Sequence, residues 1–240
     1  MLILRWAPGL AAVAATLVAG CGAVSPVATS SRAPLASASA SSPAPIPVGR
    51  PPGSTRLFRE MNAATAKASS VHISAAWLPG DRRYGVNLSM TRSGDMSGAI
   101  IYKRQPLTVL VTRGHGYLEI NSASLGWLGM PGACTWDCGE YVVMPVQKLV
   151  GGISWHSLVA GSGAVPNAQV RYVRTMMVSG QPAWEMRGPR GAVIYVAARG
   201  APYPLRVTIK GTVVADYTQW NSATVRPLPT GTRVISYKQL

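Results

Sequence analysis

Three cysteines are the residues of this sequence best suited to covalent chemistry, and they fall into two groups. Cys21 follows an apolar segment near the start of the chain, whereas Cys134 and Cys138 lie four positions apart in the middle. An odd number of cysteines in an exported chain indicates that one of them has a separate role. If Cys21 has that role, Cys134 and Cys138 remain as a pair, and we predict that they form a structural disulfide.

Zinc binding and redox catalysis are the alternatives for the pair Cys134 and Cys138. A zinc site needs two further Cys or His ligands, and the neighbouring sequence supplies none. Redox pairs usually enclose two residues, whereas this pair encloses three. The sequence therefore predicts no bound metal and no redox site here.

Motifs for other catalysis are missing from the sequence. There is no Gly-x-Ser-x-Gly elbow, no His-Glu-x-x-His and no glycine-rich phosphate loop. His72, His115 and His156 are far apart, and the eight acidic residues are scattered singly. The sequence predicts a protein that is not an enzyme and needs no cofactor. A hydrolase whose triad is assembled in space is the less favoured alternative.

The first 20 residues have the pattern of a signal peptide. Arg5 provides a positive start, and residues 7–19 are uncharged and too short to span a bilayer. The run Leu17-Val18-Ala19-Gly20-Cys21 resembles a bacterial lipobox, in which the cysteine takes a diacylglyceryl group. We predict cleavage before Cys21, lipidation of Cys21, and a location on the extracytoplasmic face of the cell membrane. An ordinary signal peptide that happens to end in cysteine is the alternative.

Residues 21–53 are predicted to be the lipidated cysteine and a disordered tether. The segment is rich in Ala, Ser and Pro, contains no acidic residue and shows no apolar period. The whole chain has a formal net charge of +15 with only 13% charged residues. This excess suggests anionic partners, such as phospholipid headgroups, acidic glycolipids or cell-wall polymers, and solubility next to an anionic surface is the alternative. Export and the lack of an RNA-binding pattern argue against nucleic acid.

Residues 54–240 are predicted to form a single β-rich domain. Ser54 or Thr55 is expected to cap a helix that runs to about Ala68, after which apolar residues alternate with polar ones. Turn signals separate strands at intervals of about ten residues, which is typical of an antiparallel meander. Residues 146–161 break the alternation and predict short helices interrupted at Gly151-Gly152. The alternation also places Leu205, Val207 and Ile209 on one face of a late strand.

Several segments in this order resemble the actinobacterial lipoproteins of the LppX/LprG type. Besides the lipobox and the tether, they are Ala66 to His72, Gly116-Tyr117-Leu118 before Trp127, and the hairpin from Tyr195 to Arg206 with its Pro-Tyr-Pro-Leu-Arg. The resemblance implies a LolA-like α+β fold. In that fold a curved antiparallel sheet forms a half-barrel, here of about ten strands, and a few helices cover its concave face. The Cys134 to Cys138 segment, the many arginines and the single Phe depart from the family pattern.

The resemblance also implies a function, because members of the family bind or carry envelope lipids and lipoglycans in an apolar cavity. We predict such a lipid or lipoglycan ligand for this chain. Alternation within the strands and the crossover helix suggest the lining positions Leu88, Met90, Val109, Val111, Leu118, Val146 and Leu149. The rival interpretation is a non-catalytic interaction module of the envelope with a fully packed core.

Overall fold

A computed structural model of the protein describes residues 51–76, 84–130, 138–151, 153–159 and 170–239, together with residues 49, 132 and 134. All of them belong to one compact unit of the chain, Ile46–Leu240. Cys21, the predicted signal peptide and most of the predicted tether lie outside the described residues. The predicted domain boundaries therefore remain predictions.

The described residues contain four α-helices and twelve β-strands. In chain order they are α1 Ser54–Lys67, β1 Ser70–Ala75, β2 Tyr84–Thr91, β3 Met96–Tyr102, β4 Gln105–Thr112, β5 His115–Glu119, α2 Ser122–Trp127, β6 Tyr141–Pro145, α3 Val146–Val150, α4 Trp155–Leu158, β7 Arg171–Val178, β8 Gln181–Arg187, β9 Ala192–Ala197, β10 Pro204–Ile209, β11 Thr212–Thr218 and β12 Val234–Ser236. The two short helices predicted in residues 146–161 are α3 and α4, whereas α2 is an element that the sequence analysis missed.

All twelve strands form one open sheet in the order β12-β6-β5-β4-β3-β2-β1-β11-β10-β9-β8-β7. Every pairing is antiparallel except that of β12 with β6, which is parallel. The prediction of an α+β fold built on an open antiparallel sheet is confirmed, with twelve strands in place of about ten. One strand that escaped prediction is β12, because its three residues are too few to show alternation.

One face of the sheet carries most of the apolar core, and we call it the covered face. The register aligns Ile73, Leu88, Gly98, Val109 and Leu118 across five neighbouring strands. Because side chains alternate along a strand, the residues two positions away from each of these point the same way. The predicted lining residues on β2, β4 and β5 therefore share one face.

Helices cover the two halves of this face separately. Leu57, Phe58 and Met61 of α1 are at most 1% exposed and pack against β8 and β9. Burying each of these side chains contributes about 1.5–3 kcal/mol. On the other half, Leu149 of α3 lies over Gly116, where a Cβ would come within 2.9 Å of the leucine Cδ2 atom. Glycine at position 116 thus allows α3 to approach the sheet.

Two local predictions are corrected by the structure. The N-cap of α1 is Gly53, and the hydroxyl of Ser54 accepts a hydrogen bond from the Tyr172 amide at 3.0 Å. The first residues of β10 are irregular, with a shift in register between Pro204 and Arg206. Leu205 consequently packs with a cluster on the opposite face of the sheet, which we call the outer face, whereas Val207 lies on the covered face. A bulge reverses the side-chain alternation, which a count of residues along one strand does not reveal.

Candidate functional site

The predicted lining residues lie together on the covered face. Six belong to one buried cluster, with exposed fractions of 0% for Leu88, Met90 and Leu118, 1% for Val109, 3% for Val111 and 5% for Leu149. The seventh, Val146, is half-buried and packs against that cluster. Side chains exposed this little contact protein atoms on all sides. An acyl chain could touch the six buried positions only after the covering segments move away.

Val207 marks the boundary between the two helix-covered halves. It is half-buried and packs against both the cluster under α1 and the cluster that includes α3. Its neighbours in the register are Ile194 on β9 and Ala215 on β11, both buried. Val207 is therefore an apolar position of the covered face where surface remains accessible between two packed regions. The sequence analysis did not include it among the lining residues.

The described helices are small relative to the sheet. Twelve strands at about 4.8 Å spacing and about 20 Å length give a face of roughly 1,100 Å². The helices contain 14, 6, 5 and 4 residues. With about 1.5 Å of rise per residue and a width of about 10 Å, they cover roughly 400 Å². Other groups must cover the remainder of an apolar face of this size.

Four aromatic rings connect α4 to the sheet beside β11. The rings of Tyr203 and Tyr217 stack on Trp220 at centroid distances of 4.7 Å and 6.0 Å, and Trp155 of α4 meets Trp220 edge-on at 6.5 Å. The indole Nε1 of Trp220 donates a hydrogen bond to the Pro204 carbonyl at 3.0 Å. These contacts fix the position of α4, as expected for tryptophans with a packing role.

The outer face carries a buried carboxylate between two arginines. Glu185 is 2% exposed, and its oxygens accept hydrogen bonds from Arg174 Nε at 2.7 Å and Arg187 Nε at 2.9 Å. Burial raises the pKa of Glu185, but the hydrogen bonds and charges of the two arginines outweigh this effect, so that the pKa is lowered overall. The arrangement stabilises an ion-pair network on the face opposite to the apolar core.

A half-open pocket also lies on the outer face, where residues 226–229 meet β3, β4, β5 and β6. Its volume is about 190 Å³, and Ser97, Glu119, Tyr141 and Arg226 supply polar groups to its wall. Pockets for small molecules usually measure about 300–1,000 Å³ and are mostly apolar. This pocket is too small and too polar for an acyl chain.

The three histidines, all of which lie in the described part of the chain, have separate surroundings. His72 Nδ1 lies 3.1 Å from the Ser89 hydroxyl on the outer face, but no carboxylate of a described residue hydrogen-bonds the His72 ring. His115 Nδ1 contacts the Arg113 carbonyl, and His156 is exposed on α4. Within the described part of the chain, no group of three His, Cys, Asp or Glu residues could hold a metal ion.

The structure brings the predicted cysteine pair together. The sulfur atoms of Cys134 and Cys138 lie at disulfide distance, and the Cα atoms are 5.6 Å apart, as is usual for bridged cysteines. Cys134 also packs against the cluster of the covered face. A disulfide here would join the loop after α2 to the segment before β6.

We expect two thiols to appear in this protein only after reduction. Without a reductant, alkylation should add no mass at Cys134 and Cys138. After reduction, alkylation should increase the intact mass by two modified thiols. Because the bond closes a loop of five residues, its reduction should lower the free energy of unfolding by about 2 kcal/mol. Alkylation of both thiols without reductant would contradict the pairing.

Comparison with solved structures identifies the fold. A structure of LprF from Mycobacterium bovis is 16% identical and aligns over 74% of this chain and 97% of its own, with a TM-score of 0.53. The lipoprotein LppX from Mycobacterium tuberculosis is 13% identical and aligns over 72% of this chain and 98% of its own, with a TM-score of 0.48. No protein-family model and no curated protein sequence matches the chain.

None of the described helices is both long and apolar enough to cross a membrane. At these identities the likeness concerns the fold alone. The alignment with LprF extends over nearly the whole LprF chain. The predicted resemblance to the LppX/LprG-type lipoproteins is thereby confirmed at the level of the fold, which this chain shares with LprF.

Proposed function

We propose that the protein is a non-catalytic lipoprotein, anchored by Cys21 to the extracytoplasmic face of the cell membrane, that binds acyl chains of an envelope lipid or lipoglycan. The observation that carries the proposal is the half-buried Val207 on the covered face, which leaves apolar surface accessible between the region packed by α1 and the region packed by α3. An acyl chain that entered there as the covering segments moved aside would remove its own CH₂ groups from water, at about 0.8 kcal/mol for each group.

The boundary at Val207 between the two helix-covered halves, which we call the seam, is the place where we propose that the acyl chain enters. The position is apolar and half-buried, and it lies between the region packed by α1 and the region packed by α3 and α4. Leu88, Val109 and Leu118 extend the same face away from the seam. The absence of charge at these positions matters, because a charge facing an acyl chain would lose its hydration without a partner. The resemblance to the LppX/LprG-type lipoproteins, whose members bind or carry envelope lipids, supports this proposal.

We expect Val207→Trp to weaken binding of a long-chain fluorescent fatty acid by about tenfold or more, because an indole at the seam occupies the space that the chain would enter. Val193→Trp is the matched control. Val193 is also half-buried and neighbours Val207 in the sheet, being paired with Thr208, but it lies on the outer face. The control should bind the fatty acid about as well as the unmodified protein.

Mass spectrometry of a solvent extract of the purified protein provides a second measurement. Co-purified acyl lipid in the unmodified protein and in Val193→Trp, with less in Val207→Trp, is the expected result. Equal loss in both tryptophan variants would show that overall destabilisation, not the seam, governs binding. If the folded protein shows no saturable binding and no extracted lipid, it is instead an interaction module with a packed core.

A further inference from the structure

Basic residues occupy the tips of three β-hairpins at one end of the sheet. Lys103 and Arg104 connect β3 to β4, Arg190 connects β8 to β9, and Lys210 connects β10 to β11. Antiparallel pairing places all three turns at the same end of their strands. All four side chains are exposed, and none forms an ion pair with a residue that the structure describes. Among the described residues, these four charges therefore have no acidic partner.

The backbone at these tips does not favour the residues found there. Lys103, Arg190 and Lys210 have φ angles of 48°, 58° and 50°, in the left-handed region. Turns of this kind prefer Asn, Asp or Gly, because other side chains are strained at positive φ. Turn chemistry gives no reason for a long basic side chain at any of the three positions. Arg113 at the opposite end of the sheet has the same conformation, with a φ of 50°, so the backbone does not distinguish the two ends.

Two of the three tips are in contact, and two of them have apolar neighbours. The Lys210 amide donates a hydrogen bond to the Gly191 carbonyl at 2.9 Å, so two of the three turns are in contact. Ile209, next to Lys210, is 37% exposed, and the Lys103 ammonium lies 5.1 Å from the centre of the Tyr102 ring. Basic residues beside an exposed aliphatic side chain and a tyrosine are typical of surfaces that meet lipid headgroups.

The chain enters the fold at this same end. The Ser54 hydroxyl at the start of α1 accepts a hydrogen bond from the Tyr172 amide at the start of β7. Tyr172 is adjacent to Arg171, which pairs with Arg187 at the end of β8. The turn that carries Arg190 follows directly after this pair. Residues 51–53, which precede α1, therefore lie at the end of the sheet that carries the basic tips. The predicted tether, if it is a flexible coil, would span about 30 Å.

We propose that this end of the sheet, the α1 end, docks on the anionic headgroups of the bilayer in which the protein is anchored. The direction of docking rests on the proposed anchor at Cys21, but the affinity of the surface does not depend on it. The opposite end also has basic turn residues, Arg92, Arg113 and Arg199. Asp95 reduces the positive charge of that end, because it lies three residues from Arg92 and accepts a hydrogen bond from the Arg113 amide. The α1 end has the exposed Ile209 beside Lys210, and no exposed large aliphatic residue adjoins Arg92, Arg113 or Arg199. These differences favour the α1 end in the unanchored chain as well, and the position where the tether enters favours the same end. Docked in this way, Val207, which is three residues from Lys210, lies close to the membrane.

Vesicle flotation of two triple variants tests the proposal, with every chain carrying Cys21→Ala so that acylation contributes nothing. The first variant combines Lys103→Asn, Arg190→Asn and Lys210→Asn. Asparagine suits positive φ, so folding should be preserved. Each basic residue near an anionic surface contributes about fivefold to partitioning. Binding to vesicles with about 30% phosphatidylglycerol should fall on the order of a hundredfold and should be weak for phosphatidylcholine vesicles throughout.

The control variant combines Arg92→Asn, Arg113→Asn and Arg199→Asn, which removes the same charge from the opposite end. It should bind anionic vesicles within about threefold of the parent chain. Equal losses in the two variants would overturn the proposal in favour of attraction by net charge alone. Binding of the parent chain to soluble polyglutamate but not to anionic vesicles would overturn it in favour of a polymer ligand. Neither outcome bears on fatty-acid binding at Val207, which is measured separately.

Discussion

Replacing Cys21 by alanine should move the protein out of the membrane fraction of its native host almost completely. If Cys21 carries a diacylglyceryl group, its acyl chains contribute about 0.8 kcal/mol for each buried CH₂, and two chains make an anchor that hardly dissociates. The fractionation should include a wash in about 1 M salt, where screening acts within about 3 Å and releases proteins held by surface charge. The unmodified protein should resist this wash, whereas Cys21→Ala should appear in the soluble fraction.

The variant Cys134→Ala with Cys138→Ala is the matched control for this experiment. It also removes cysteines, but they belong to the folded domain, so the salt-resistant membrane fraction should be unchanged. Mass spectrometry of the mature N-terminus should find Cys21 as the first residue, with its acyl groups. Salt-resistant association of Cys21→Ala would show that the anchor lies elsewhere in the chain.

A single methyl group at Gly98 should destabilise the protein by about 3–5 kcal/mol, which is large for one substitution. Gly98 has a φ of 145°, and a Cβ there would lie 2.2 Å from the Asn87 carbonyl oxygen and 3.0 Å from the Leu88 Cα. Both contacts are with the backbone of β2, which is held in register by its ladders to β1 and β3. The neighbouring strand cannot move away without breaking hydrogen bonds, so Gly98→Ala should lose free energy through strain and disrupted pairing.

Gly126→Ala provides the comparison. Gly126 lies within α2, and a Cβ there would meet no atom within 4 Å. Because alanine is the better helix former, this variant should be as stable as the unmodified protein or more stable by up to about 1 kcal/mol. Denaturant unfolding of both variants measures the difference. A loss at Gly98 no larger than about 1 kcal/mol would mean that β2 and β3 are separable where the register shows them paired.

The glycine result bears on the proposed site, because Gly98 aligns with Leu88 on one side and Val109 on the other. A disturbance of this register would shift the covered face of β2 relative to β4. One residue of slip reverses which side chains face the core. Loss of lipid binding in Gly98→Ala would therefore follow from loss of structure. For this reason the seam is tested at Val207, where the substitution enlarges an existing side chain and does not replace a glycine of positive φ.

The sequence by itself determined the local elements. The helical spacing of Leu57, Phe58 and Met61 predicted α1, and all three are buried as that spacing requires. Alternation with period two predicted that Leu88 shares a face with Met90, as is observed. Such periodicities arise from the geometry of a single helix or strand, so they are visible without knowledge of the partner. The same holds for the interruption of the strands by α3 and α4.

Only the tertiary structure decided which face is covered and how the strands are ordered. It also decided that a bulge puts Leu205 and Val207 on opposite faces of the sheet. Alternation assigns side chains to two faces but carries no information about which face meets a helix. The bulge in β10 depends on its pairing with β9, and β12 becomes a strand only through its contact with β6. The burial of Glu185 requires an arginine from the neighbouring strand β7. These features depend on contacts between residues distant in sequence, because burial and pairing are properties of the assembled sheet.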